Sequence, residues 1–260
     1  MTGRTALVTG ASSGIGEEFA RRLAADNHDL ILVARSREKL LALAEHLRER
    51  HGRRIEVIAA DLTQPRPGRR IADSVEALGM HVDLLINNAG FGHLGAFDAQ
   101  KAGRPYDMVQ LNCAAVVDLV EAFLPPMLAV GRGGIVNVAS LAAFQPMPRM
   151  SVYSATKAFV LNFSLGLWAE YKKRGIRVVC VCPGPVDTPF FETSGAGTMR
   201  EYLPRFAVAS ANRVVDDTLR GLARARPVVL PRQSSKWLAA GSRLLPQTFI
   251  ARFLDRALDR

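Results

Sequence analysis

The chain has 260 residues and a mass of 28.3 kDa, a size that fits one large domain or two small ones. Hydrophobic residues make up 48% and charged residues 22%, which excludes a disordered or collagen-like chain and allows a large buried core. The net charge of +10 is unevenly spread: residues 1–197 hold 22 basic and 19 acidic side chains, and residues 198–260 hold 12 and 5.

Short apolar runs alternate with segments of helical period, the signature of a parallel sheet covered by helices. In chain order, Arg4–Thr9, His28–Arg35, Arg54–Ala60, Asp83–Asn87, Gly134–Ala139, Ile176–Cys182 and Pro227–Leu230 read as strands. Each is apolar throughout, as expected where both sheet faces are covered. Leu40, Leu43, Ala44 and Leu47 share one helical stripe, as do Ile71, Val75 and Leu78. Phe159, Phe163, Leu167 and Tyr171 form a third, in a helix predicted from about Met150 to Arg174. Phe190 to about Ala211 breaks the alternation as an insertion after the sixth strand. With no internal repeat and no low-complexity linker, the expectation is one α/β domain over 1–260, a doubly wound parallel sheet of seven strands with helices on both faces.

Three cysteines, Cys113, Cys180 and Cys182, are too few for a disulfide framework, so a reduced, cytoplasmic protein is expected. Cys180 and Cys182 alternate in a strand and read as core; Cys113 reads as packing. No apolar run approaches the roughly 18 residues that cross a bilayer. The strand-like stretch from Arg4 leaves no room for a signal peptide. The five histidines show no ligand spacing, so no metal is expected.

The first strand runs into Thr9-Gly10-Ala11-Ser12-Ser13-Gly14-Ile15-Gly16 and then a helical pattern. Gly10 permits a sharp exit from the strand, Gly14 lets backbone N–H groups approach a pyrophosphate, and Gly16 lets the helix pack close to the sheet. The helix N-terminus adds partial positive charge, so a dinucleotide site is expected. The second strand ends Val33-Ala34-Arg35-Ser36-Arg37, where an NAD enzyme would place Asp or Glu for the ribose 2′-hydroxyl. Arg35 instead suits a 2′-phosphate through a charge-assisted contact, with Ser12 and Ser13 as further donors, so the expected cofactor is NADP(H). Arg37 and Lys39 read equally as phosphate partners or as solvated residues.

Tyr153 and Lys157, four apart in Tyr153-Ser154-Ala155-Thr156-Lys157, share one face of a helix. A phenol titrating near 10 is a poor base, and a nearby ammonium with an oxidised nicotinamide is expected to lower that value. Ser140 ends the fifth strand, where α/β sheets place their ligands.

At this point the sequence resembles the short-chain dehydrogenase/reductase family. The resemblance rests on Thr9-Gly10-x-x-x-Gly14-x-Gly16, Asp61-Leu62, Asn87-Asn88-Ala89-Gly90, Asn112, Ser140, Tyr153-x-x-x-Lys157 and Pro183-Gly184-Pro185-Val186-x-Thr188. It implies that Asp61 and Leu62 contact the adenine, that Asn88, Ala89 and Gly90 line the adenosine ribose, and that Pro183, Gly184, Val186 and Thr188 flank the nicotinamide. Ile15 falls inside the phosphate motif. Tyr153 would be the general acid and Ser140 would hold the carbonyl oxygen. Lys157 would bind the nicotinamide ribose and tune Tyr153, and Asn112 would position a relay water. A homo-oligomer is expected on the same resemblance.

The family does not choose a substrate. The insertion at 190–211 carries Pro189, Phe190, Phe191, Met199, Tyr202, Leu203 and Phe206 at or within its edges. By resemblance it is a substrate lid, and its apolar side chains suit a lipophilic ketone, aldehyde or 3-oxoacyl compound. It also reads as core closure or an oligomer contact. The divergent basic segment 232–260 contains Trp237-Leu238-Ala239-Ala240, Leu244-Leu245 and Phe249-Ile250-Ala251-Arg252-Phe253-Leu254, split by Pro246. It reads as a peripheral membrane contact, or as a stripe docked on its own fold or a second subunit. The excess of arginine reads as a solvated surface or as attraction to an anionic partner. Nucleic acid is not expected, since no binding motif or basic face with interleaved aromatics is present.

Overall fold

The structure is a computed structural model that describes residues 4–195, 208–231, 241 and 245–258. Its seven strands are β1 (Thr5–Thr9), β2 (Asp29–Ala34), β3 (Ile55–Ala59), β4 (Leu84–Asn87), β5 (Gly133–Val138), β6 (Ile176–Val181) and β7 (Val228–Val229). Each lies within one residue of the predicted bounds at either end. They form one parallel sheet in the order β3-β2-β1-β4-β5-β6-β7. The order reverses between β1 and β4, which opens a crevice at the carboxyl ends of those strands.

Strand side chains alternate between the two faces. Leu7, Ile31, Leu85, Ile135 and Val178 are aligned across the sheet and point to one side. There they meet Ile71 and Val75 of α3 (Pro67–Ala77), Leu119, Phe123 and Met127 of α5 (Ala115–Val130), and Leu167 of α6 (Ser151–Tyr171). Val8, Leu32, Ile86, Val136 and Val179 point to the other side. They are covered by Phe19 and Leu23 of α1 (Gly14–Ala25), Leu40 and Leu47 of α2 (Arg37–His51), and Val214 and Val215 of α8 (Ala211–Ala223). Because both faces of the central strands are buried, those strands carry little polar alternation, and this is what made them legible as apolar runs.

The helical stretch before β5 corrects one expectation. α4 (Arg104–Val109), a π-helical turn Gln110–Ala114 and α5 run on without a break. Together Arg104–Val130 is long and apolar enough by length and composition to cross a membrane. Pro125 and Pro126 sit inside α5, where proline normally breaks a helix, and they hide its length from a reading by breakers. Leu119, Phe123 and Met127 of this helix are buried in the core against the sheet and α3.

The helix predicted from about Met150 is α6, continued to Arg174 by a 3₁₀ turn. The insertion is described only at its two ends: α7 (Phe190–Thr193) with Ser194 and Gly195, and Val208–Ala211, where Val186 bridges Ala209. Met199, Tyr202, Leu203 and Phe206 lie outside the described residues, as do Lys236, Trp237–Ala240, Arg243 and Leu244. In the terminal helix α9 (Gln247–Leu258), Ile250 is buried while Phe249, Arg252, Phe253 and Arg256 are exposed.

Candidate active site

The crevice between β1 and β4 is built first by the glycine loop. Gly10 takes a left-handed φ of +66° as the chain leaves β1, and a side chain there would meet Asn88 Nδ2 at 2.8 Å. A side chain at Gly16 would overlap the Gly10 carbonyl, so α1 can start this close to the loop only with glycine. The loop is held from behind. Asn88 Nδ2 donates to Thr9 O at 2.9 Å and lies 3.3 Å from Gly10 O. Thr9 Oγ1 accepts from the Asn88 and Ala89 amides and donates to Ile86 O.

A dinucleotide phosphate fits this cradle. Ser13 has extended backbone at the start of α1, yet its hydroxyl caps no N–H group, and it is exposed. The first-turn N–H donors of α1 therefore lack the usual side-chain acceptor, and Ser12 and Ser13 lie beside them in the loop. Ile15 of the same turn packs against the sheet core.

At the end of β2, Arg35 is exposed and, among the described residues, forms no ion pair. Its charge is felt at Asp61. The Asp61 carboxyl lies below its ordinary value mainly because its Oδ1 accepts from the Thr63 amide at 3.0 Å, aided by the Thr63 hydroxyl, Arg35 and Arg70. Leu62 is buried in the core with Ile31, Val33 and Ile71.

Across the crevice, β5 and α6 bring together Ser140, Tyr153 and Lys157. Ser140 begins a 3₁₀ turn (Leu141–Phe144), and its hydroxyl accepts from the Ala142 amide at 3.1 Å while bonding the Tyr153 side chain. One helical turn beyond Tyr153, Lys157 Nζ donates to Val138 O at 2.8 Å and lies 5.7 Å from the centre of the Tyr153 ring. Both side chains are buried.

Burial dominates the electrostatics of the phenol in the protein alone. Burial pushes Tyr153 up to about 12, and the Ser140 bond offsets this only in part. Burial lowers Lys157 to about 8, with the thiols of Cys180, Cys113 and Cys182 acting in the opposite sense. One hydrogen of the Lys157 ammonium goes to the Val138 carbonyl. The phenol thus keeps its proton at neutral pH.

Asn112 lies in the π-helical turn, a feature that recurs at functional sites. Its amide clamps the backbone of one residue: Oδ1 accepts from Phe91 N at 3.1 Å, and Nδ2 donates to Phe91 O and Thr156 Oγ1, both at 3.0 Å. A side chain at Gly90 would meet Asn112 Oδ1 at 3.0 Å and Lys157 Nζ at 3.4 Å, so these three groups adjoin. After β6, Pro183 is buried and its carbonyl accepts from Leu141 N at 2.8 Å; Gly184 follows, half-buried. The loop then carries Val186 into the core and Thr188 against Gly14, closing the circuit between the two halves of the crevice.

Sequence reasoning missed two features. Asn137, a lone polar residue in an apolar strand, accepts from Asn87 Nδ2 and donates to Ser164 Oγ, each at 2.9 Å, tying β4, β5 and α6 together beneath the site. Phe190 packs on Tyr153 with ring centres 5.6 Å apart, beside Phe91, Leu94, Met147 and Val152. The first left a signal in the sequence; the second is a meeting of distant segments and left none.

A parallel sheet whose strand order reverses at a glycine loop, with a buried phenol and amine beside a half-buried serine, is an oxidoreductase architecture. The sequence model of the short chain dehydrogenase family matches residues 4–198, and the chain belongs to that family. It is similar to a short-chain dehydrogenase from Sphingobium yanoikuyae solved in complex with NADPH. The identity is 38% and the TM-score 0.83, covering 93% of this chain and 94% of that one. It is also similar to the bulky-bulky ketone specific alcohol dehydrogenase from Comamonas testosteroni, with 37% identity, a TM-score of 0.79, and 91% and 90% coverage. Among curated relatives it is 36% identical to a very-long-chain 3-oxoacyl-CoA reductase from Anas platyrhynchos over 74% of this chain, spanning 62% of that longer protein.

Proposed function

We propose that the protein is an NADP(H)-dependent reductase of bulky, lipophilic carbonyl compounds, working reversibly as an alcohol dehydrogenase. The observation that carries this reading is the set of apolar side chains around a protonated phenol. Phe91, Leu94, Met147, Val152 and Phe190 are partly buried against Tyr153, Met108 and Met150. Such a wall favours an apolar substituent on either side of a carbonyl and offers a small polar substrate nothing to bond. The similarity to a bulky-ketone enzyme and to a long-chain 3-oxoacyl reductase supports the same substrate class.

In this reading Ser140 holds the carbonyl oxygen by a hydrogen bond that strengthens as negative charge builds there. Tyr153 Oη gives its proton to that oxygen. When bound, the nicotinamide supplies a hydride to the carbonyl carbon. Lys157, with one of its three donors on Val138 O, keeps two for the ribose hydroxyls. Asn112 fixes the Phe91 peptide at the edge of the substrate wall. Gly10, Ser12, Ser13, Gly14, Ile15 and Gly16 hold the pyrophosphate, and Arg35 takes the ribose 2′-phosphate. Asp61 and Leu62 border the adenine, and Pro183, Gly184, Val186 and Thr188 the nicotinamide.

The test is NADPH oxidation across ketones and aldehydes of rising size. The expected result is a kcat/KM that climbs as both substituents grow, by about tenfold for each few methylenes buried. A preference for small polar carbonyls would overturn it.

A further inference from the structure

The wall around Tyr153 depends on α7, a helix of only four residues, being held in place. A helix that short leaves its last carbonyls without intrahelical partners. Two of them are met by the opposite side of the crevice. Leu94 N donates to Ser194 O at 2.9 Å, and Arg104 Nη2 donates to Thr193 O at 3.1 Å. The Arg104 guanidinium also lies 5.1 Å over the Phe91 ring, within cation–π range. Its Nε is buried and, among the described residues, bonds nothing. Phe91 has its own backbone N–H and C=O clamped by Asn112, and Phe190 leads the helix that Arg104 closes. One guanidinium therefore spans the two aromatic walls that face Tyr153.

We propose that Arg104 is a positioning residue that sets substrate specificity, latching α7 to the Phe91 wall and so fixing how large a substituent fits beside Tyr153. This rests on the reading of the protein as a reductase of bulky carbonyls. Arg104 itself has no role in proton transfer. Leaving one of its buried N–H groups unpaired is unfavourable, and the geometry that Nη2 and the ring contact impose accounts for why the group is held there.

The experiment compares wild type with R104M and R104K in two measurements. The first is hydrogen exchange in peptides covering residues 91–95 and 190–195, with a β5 peptide as internal control. The second is the ratio of kcat/KM for a bulky aryl ketone to that for a small one, with NADPH dissociation measured alongside. R104M is expected to speed exchange in both peptides by about threefold or more. It should lower the specificity ratio by about tenfold while NADPH affinity holds. R104K keeps the charge and one donor, and should lie nearer wild type in both. Unchanged exchange in R104M overturns the latch, and faster exchange with an unchanged ratio overturns the specificity role. Equal losses in R104M and R104K overturn the part given to the Thr193 bond. If wild type turns over no carbonyl in the series, the functional reading and the specificity role fall together, while exchange still reports the latch.

Discussion

Replacing Lys157 with methionine removes a buried ammonium from the site and keeps an unbranched side chain of similar volume. Burial lowers this amine from 10.5 to about 8, which corresponds to about 3 kcal/mol of penalty on the charged form. Against that, the variant loses the bond to Val138 O, a contribution of about 1–2 kcal/mol. At pH 7 the amine is protonated both folded and unfolded, so the penalty is fully present. Lys157→Met is therefore expected to be more stable than wild type by about 1–2 kcal/mol, or roughly 3–6 °C in Tm, while the role proposed for Lys157 predicts that its turnover is lost. Between pH 8 and 10.5 the unfolded chain holds a proton that the folded chain has shed, so wild-type stability gains on the variant as pH rises. Urea unfolding at pH 7 and pH 10 reads both effects. A variant less stable than wild type at pH 7, or a gap that stays constant across that pH range, would refute the reasoning.

Two further variants test the cofactor side. Arg35→Ala should raise the Kd for NADPH by about 10- to 100-fold while leaving that for NADH unchanged, as measured by fluorescence titration; equal losses for both would show that Arg35 does not meet a 2′-phosphate. Gly16→Ala places a methyl group onto the Gly10 carbonyl and should abolish dinucleotide binding with a drop in Tm, since neither backbone can yield. Retained NADPH affinity in that variant would show that the loop accommodates a side chain.

Much of the fold was legible because its physics is local. The seven strands are mostly apolar, and the stripe of Leu40, Leu43, Ala44 and Leu47 is the buried face of α2. Gly10, Gly14 and Gly16, with Tyr153 and Lys157 one turn apart on α6, were equally plain from spacing. What could not be read was set by tertiary contact. The phenol was expected to lose its proton more readily beside Lys157 and an oxidised nicotinamide, and its spacing gave no sign of the opposing effect of burial with Met108, Met150 and Phe190. The length of Arg104–Val130 was masked by Pro125 and Pro126, whose rings the packed helix tolerates. Nothing in the spacing showed that the Asn112 side-chain amide would hold the Phe91 backbone and Thr156. Arg104 sits in a polar stretch with no motif, and only the fold brings it to Phe91 and Thr193.

The most direct trial of proton donation by Tyr153 is hydride transfer from bound NADPH to a bulky aryl ketone in a single turnover, comparing wild type with Tyr153→Phe. The account predicts a rate lower by about 10²–10⁴ in the variant, with the NADPH Kd unchanged. Transfer at the wild-type rate would contradict it.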